Sequence, residues 1–166
     1  MGREVRMVPP SWQHPKNGYY PDGSVRYVAL YDGSEYAARV ADWDAESAKW
    51  AAGEFPDYAT EESKKLTFEE WSGSRPDASD YMPVWRDEER THYMMYEDTS
   101  EGTPISPAFA TPEELARWLA DNGASAFGGD TASYEGWLRI ARGGWAPSAI
   151  VDAGGLRNGV EAFSEK

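Results

Sequence analysis

The sequence has no cysteine and only two histidines, His14 and His92. Without cysteine the chain forms neither disulfides nor thiolate metal sites, which fits a reducing compartment. The histidines are far apart, and no H-x-x-x-H pair or similar ligand spacing is present. We therefore expect no metal and no cofactor. His14, near Trp12 and Pro15, is interpreted as a packed or turn histidine, and His92 as one that caps a strand or faces solvent.

Long apolar runs and catalytic motifs are also lacking. No segment approaches the roughly 20 apolar residues that span a bilayer, and no N-terminal stretch resembles a signal peptide. The expectation is a soluble, intracellular protein. There is no G-x-S-x-G elbow. The glycines before Asp130 lack the lysine of a phosphate loop, so Asp130 or Thr131 is interpreted as a helix cap.

Acidic residues dominate the charge. The 166 residues include 29 acids and 16 Lys or Arg, a formal net charge of −13. Residues 42–101 hold 17 of the acids and 6 of the bases, or −11 of that total. Such a field opposes direct binding to nucleic acid or anionic membranes. It either keeps the protein soluble or attracts a basic partner.

Alternation and turn residues predict a small antiparallel sheet. Residues 4–8, 25–31 and 91–97 have the pattern of strands, and the first two could pair in a hairpin or small meander. Helices are predicted over residues 42–52, 111–123 and 132–142. The fold class is therefore α+β, with a small antiparallel sheet and about three short helices.

The clearest local signal is a proline-framed loop followed by a helix. Pro104 and Pro107 favour extended, fixed geometry in the loop. Thr111 is a natural N-cap, since Pro112 follows it and Glu114 can complete a capping box. The helix should place Leu115, Trp118 and Leu119 inward and end at Gly123 in the left-handed conformation.

At this length the chain suits one domain, residues 1–150, with a weakly ordered tail over residues 151–166. Within the domain, residues 54–90 form a long irregular segment that is acidic and interrupted by proline and glycine. Its aromatic residues indicate an ordered loop attached to the core rather than free disorder.

Longer motifs spread along the chain resemble a family of small acidic proteins encoded by tailed bacteriophages and prophages. They are Glu4-Val5-Arg6, Val8-Pro9, Trp12, His14-Pro15, Tyr81-Met82-Pro83, Met95-Tyr96-Glu97, residues 99–107, residues 111–128 and Gly144-Trp145-Ala146-Pro147. The family has no assigned activity, so no site residue transfers from it. The resemblance implies a phage protein made in the host bacterial cytoplasm, of the kind that serves host takeover or evasion of defence.

The favoured hypothesis is a non-enzymatic phage accessory protein that binds a host protein. Its acidic surface would imitate DNA or act like an anti-CRISPR protein, inhibiting a defence complex with a basic nucleic-acid groove. No direct contact with nucleic acid or membrane is expected. Exposed tryptophan rimmed by carboxylates is a good protein anchor. The predicted partner-binding residues are Trp71, Trp85, Asp87, Glu88, Glu89, Glu101 and Ile105.

Two alternatives remain open. A carboxylate-dependent hydrolase would use Glu97 and Glu101 as acid and base, with His92 beside them. A minor virion or assembly protein would instead stay in purified particles. The oligomeric state is not predicted.

Overall fold

The computed structural model describes residues 2–98, 102–147, 149–152 and 155–162. Eight strands are found there: β1 Gly2–Val8, β2 Lys16–Tyr19, β3 Val25–Tyr27, β4 His92–Glu97, β5 Thr103–Pro104, β6 Trp145–Pro147, β7 Ala149–Asp152 and β8 Gly155–Asn158. The helices are α1 Tyr36–Ala51, α2 Phe68–Ser72, α3 Pro112–Asp121, α4 Tyr134–Gly143 and α5 Gly159–Ala162. Short 3-10 turns occur at Gly33–Glu35, Ser63–Lys65 and Ala78–Asp80.

The chain divides into two compact units. Unit 1 comprises Met1–Leu30 and Trp85–Lys166, and unit 2 comprises Tyr31–Val84. Unit 1 contains a four-stranded antiparallel sheet in the order β5-β4-β1-β6 and two hairpins, β2-β3 and β7-β8. In the central pair of the sheet, Val5 is opposite Met95 and Arg6 is opposite Met94. The predicted pairing of the first two strands is corrected, because β1 pairs with β4 and β6 while β3 pairs with β2.

Helices α3 and α4 pack together against one face of this sheet. The alternation along β1 and β4 directs Val5, Tyr93 and Met95 to that face. The fully or almost fully buried core there includes the larger side chains Met95, Leu115, Leu119, Trp137, Ile140 and Val160. The opposite face carries the buried side chains of Arg6, Met94 and Tyr96. The guanidinium of Arg6 and the hydroxyl of Tyr96 make this buried face partly polar.

Unit 2 is organised around α1, the longest helix described. Asp32 caps the 3-10 turn that leads into it, and α2 packs beside it. The start and end of the unit meet through two backbone hydrogen bonds. The amide of Tyr31 donates to the carbonyl of Asp80 at 2.9 Å, and the amide of Met82 donates to the carbonyl of Tyr31 at 2.9 Å. The irregular residues thereby return to α1 and form an ordered unit.

The predicted α+β class, with its small antiparallel sheet and short helices, is confirmed. Helix α3 has its capping box between Thr111 and Glu114, and Gly123 has the left-handed φ of +59°. The prediction for the start of α4 is wrong. Ser133, rather than Asp130 or Thr131, is the N-cap, because the backbone of Asp130 is engaged in a tight turn with Phe127.

Two further differences concern the first helix and the chain end. Helix α1 begins six residues before the predicted Asp42, because the Asp32-capped turn runs directly into it. Strands β7 and β8 and helix α5 occupy most of the segment predicted as a tail, and Val160 is completely buried. The domain bounds 1–150 and 151–166 themselves stay a prediction.

Candidate functional site

Unit 2 contains an open cleft of about 560 Å³ with aromatic and acidic walls. Helix α1 contributes Arg39, Asp42, Trp43 and Glu46, which lie on one helix face at i, i+3, i+4 and i+7. The rings of Tyr31, Phe68 and Tyr81 complete the aromatic part of the wall, and Arg75 and Asp80 add charge from the loop that follows α2. We call this the acidic aromatic cleft.

The cations of the cleft are already engaged by carboxylates. Arg39 binds Glu35 at 2.8 Å, and Arg75 binds Asp44 at 2.8 Å. The hydrogen bond from Arg75 holds the pKa of the Asp44 carboxyl below its usual value. Within the described part of the chain, Asp42 and Asp80 have no ion-pair partner, so their charges remain available to a ligand.

The aromatic wall already binds a cation within the unit. The guanidinium of Arg39 lies 5.5 Å from the ring centre of Tyr31. The Tyr31 ring in turn packs on Tyr81 at 5.3 Å. Burial raises the pKa of Tyr81, opposed by the nearby charge of Arg39, so its hydroxyl stays neutral at physiological pH. The cleft can therefore hold a cation by ring faces and carboxylates together.

Trp71, one of the predicted partner-binding residues, lies in a ring stack next to this cleft. Its ring stacks on buried Trp50 at 4.5 Å and on Tyr58 at 6.1 Å. Tyr58 is 77% exposed, so the stack ends at the surface. The stack fixes an exposed aromatic side chain next to an acidic residue, since Asp57 precedes Tyr58 in the chain. Exposed tyrosine held in this way is typical of protein-binding surfaces.

The other predicted contact residues lie in unit 1. Trp85 packs edge-on against Trp12 at 4.8 Å, and Ile105 lines a second cleft. Asp87, Glu88 and Glu89 are exposed, but Arg86 and Arg90 bind them in a local network. Residues 86–90 therefore carry a net charge of only −1, less than the three acids alone imply. Glu101 lies outside the described residues.

Of the predicted acid–base group, Glu101 lies outside the described residues, so its pairing with Glu97 stays a prediction. His92 and Glu97 stand at opposite ends of β4, five residues apart, or about 16 Å along an extended strand. Glu97 lies 3.5 Å from buried Arg3. The structure thus gives Glu97 an ion-pair partner, while His92 lies at the other end of the same strand.

Sequence reasoning missed a buried polar chain in unit 1. The indole N–H of Trp12 donates to the Tyr96 hydroxyl at 3.2 Å, and that hydroxyl lies 3.2 Å from Nδ1 of His14. Nε2 of His14 is 2.6 Å from the carbonyl oxygen of Val28, so Nε2 carries the proton and Nδ1 accepts. Burial raises the pKa of Tyr96 to about 12. Trp12 and His14 are two residues apart in the sequence. No local pattern shows that both side chains reach Tyr96.

Among the described residues, no group of three or more His, Asp or Glu side chains could hold a metal ion. No helix in that part of the chain is both long and apolar enough to cross a bilayer. Comparison with protein-family models, curated proteins and solved structures finds no match to this chain. Its function is therefore argued from the residues described above.

Proposed function

We propose that this protein is a non-enzymatic acidic protein that binds a basic partner protein at the acidic aromatic cleft. The observation that carries the proposal is the presence of Asp42 and Asp80, without ion-pair partners in the described chain, beside the rings of Trp43 and Tyr81. Arginine and lysine side chains are the groups that carboxylates and ring faces recognise together.

The charge of the unit around the cleft supports this choice. Residues 31–84 contain 13 acids and 5 bases, a net charge of −8. A field of this sign steers cationic surfaces toward the cleft and repels anionic ones. The ring of exposed Tyr58, which stacks on Trp71, would add apolar contact area at the edge of the interface.

The biological context is part of the same proposal. The partner is a host protein in the bacterial cytoplasm, and a defence complex with a basic nucleic-acid groove has suitable charge. The protein would occupy that groove in place of nucleic acid. The resemblance to phage-encoded proteins supports this context.

A peptide titration tests the site directly. Hexa-arginine is titrated into the parent and into two variants with equal net charge: Asp42→Asn with Asp80→Asn, and Asp87→Asn with Glu88→Gln. We expect the cleft variant to bind about three- to tenfold more weakly, because each lost exposed charge contact is worth up to ~1 kcal/mol. The turn variant should change little, and added salt should weaken the parent complex.

Equal weakening of both variants would show attraction to net charge rather than to the cleft, and would contradict the proposal. The same three proteins then serve as baits in a bacterial lysate. A partner held by the parent and the turn variant, but lost from the cleft variant, would identify the host protein.

A further inference from the structure

Unit 1 contains a second open cleft, of about 790 Å³, which the proposed function does not use. The proline loop, residues 104–108, forms one wall. Trp12, Val25, Tyr27 and Trp118 also line the cleft. We call it the proline-loop cleft. Its volume is in the range of small-molecule sites in proteins, and its walls are mostly apolar and aromatic.

The walls are fixed before any ligand arrives. Trp12 is held by its hydrogen bond to Tyr96 and by the ring of Trp85. In the proline loop, Oγ of Ser106 accepts from the amide of Met95 at 2.9 Å and donates to the carbonyl of Pro107 at 2.8 Å. A cleft whose walls are already ordered loses little conformational entropy when it binds.

The charge of the proline-loop cleft is opposite to that of the chain. Among the described residues that line it, Lys16 is the only charged one, and none is a carboxylate. In the described part of the chain Lys16 has no ion-pair partner. His14 also faces the cleft, but burial lowers its pKa and its ring stays neutral. In a protein of net charge −13, the described residues that line this cleft thus include no carboxylate.

We propose that the proline-loop cleft binds a small organic anion, one with an aromatic or aliphatic body and a single carboxylate or sulfonate group. The body would lie between the Trp12 ring and the proline rings, where apolar surface is removed from water. The anionic group would lie at Lys16, on the exposed strand β2. This site is separate from the acidic aromatic cleft, and either proposal can fail without the other.

The test uses two dyes that differ by one charged group. 8-Anilinonaphthalene-1-sulfonate is anionic, and N-phenyl-1-naphthylamine has the same rings without the sulfonate. Both brighten in apolar sites. Dissociation constants are measured for the parent, Lys16→Gln, Ile105→Trp and Val25→Trp, with melting temperatures recorded for each. The two tryptophan variants obstruct the cleft from two different elements, the proline loop and β3.

We expect the parent to bind the sulfonate dye more tightly than the neutral dye. Lys16→Gln should weaken the sulfonate dye about fivefold and leave the neutral dye unchanged, as expected for one exposed charge contact. At least one well-folded obstructing variant should lose most binding of both dyes. Absence of binding to the parent, equal loss of both dyes in Lys16→Gln, or full binding in both folded obstructing variants would overturn the proposal.

Discussion

The hydroxyl of Tyr96 lies 3.2 Å from Nδ1 of His14, and both side chains are buried. Nε2 of His14 carries a proton toward the carbonyl of Val28, and burial lowers the pKa of the ring, so at physiological pH it is neutral and Nδ1 accepts a hydrogen bond from the Tyr96 hydroxyl. Burial lowers the pKa of His14; the Val28 hydrogen bond opposes this and the charge of Arg6 adds to it. The pair is therefore a neutral link between the β4 strand and the chain that precedes β2.

The first prediction follows from that lowered pKa. Above the ordinary histidine pKa of 6.5, His14 is neutral in both folded and unfolded chains and stability does not depend on it. As the pH falls below 6.5, the unfolded chain binds a proton that the folded chain refuses, so stability falls. The slope should approach about 1.4 kcal/mol per pH unit until the folded pKa is reached. Urea unfolding between pH 5 and 7.5 measures it.

A variant without the titrating group supplies the control. His14→Gln removes the imidazole and should flatten the slope, although it also lowers stability at every pH. If His14→Gln keeps the parent slope, the neutral assignment of His14 is wrong.

The second prediction compares two tryptophans in unit 1. Trp137 is completely buried, whereas Trp118 is only partly buried and packs at the edge of the core. Trp137→Ala should lower the free energy of unfolding by about 3–5 kcal/mol, as large aromatic truncations in cores do. Trp118→Ala should cost clearly less, since part of its surface is already in water. Thermal or chemical unfolding of both variants gives the comparison.

The indole nitrogen of Trp137 offers a finer check. It is buried and has no hydrogen-bond partner among the described residues. Trp137→Phe removes this unpaired donor while keeping an aromatic ring, so it should cost much less than the alanine change. A phenylalanine variant as unstable as the alanine variant would mean that the N–H does have a partner.

Helix α3 could be predicted from sequence because all its signals are local. Thr111, Pro112, Glu114 and Gly123 specify its start and end within thirteen residues. Helix α2 was missed, although Thr67 and Glu70 form the same capping box and were visible in the sequence. Its five residues are too few to show a hydrophobic period, so only the cap could have revealed it.

Neither cleft could be predicted in the same way. Two segments far apart in the sequence line the acidic aromatic cleft. One is the face of α1 that carries Asp42, and the other contains Asp80 and Tyr81, nearly forty residues later. Charge counting located the acidic region but not which carboxylates are neutralised. Asp87 and Glu89, chosen from sequence, are bound by neighbouring arginines, and only side-chain positions show this.

The third prediction concerns the corrected cap of α4. Oγ of Ser133 accepts from the amide of Gly136 at 3.2 Å and donates to Glu161 at 2.9 Å. Ser133→Ala should therefore cost about 1–2 kcal/mol of unfolding free energy. Thr131→Ala, at the position favoured by sequence, should stay within about 0.5 kcal/mol of the parent. Larger destabilisation by the Thr131 change would restore the sequence-based cap.

The last prediction concerns Gly102, which immediately precedes β5. Its φ is +87°, a conformation that side chains rarely adopt, and a Cβ built there would overlap the carbonyl oxygen of Leu30 and crowd the guanidinium of Arg6. Gly102→Ala should thus suffer both backbone strain and a steric clash, and lose more than about 2 kcal/mol.

Gly18 separates these two causes. Its φ of +101° is equally unfavourable for alanine, but no atom lies within 4 Å of a Cβ built there. Gly18→Ala should cost only the backbone term, about 1 kcal/mol. Paired unfolding curves for the two variants measure the difference. If Gly102→Ala is no more destabilising than Gly18→Ala, then Leu30 and Arg6 do not approach Gly102 as closely as the structure places them, and the close packing of Arg6 on Gly102 is wrong.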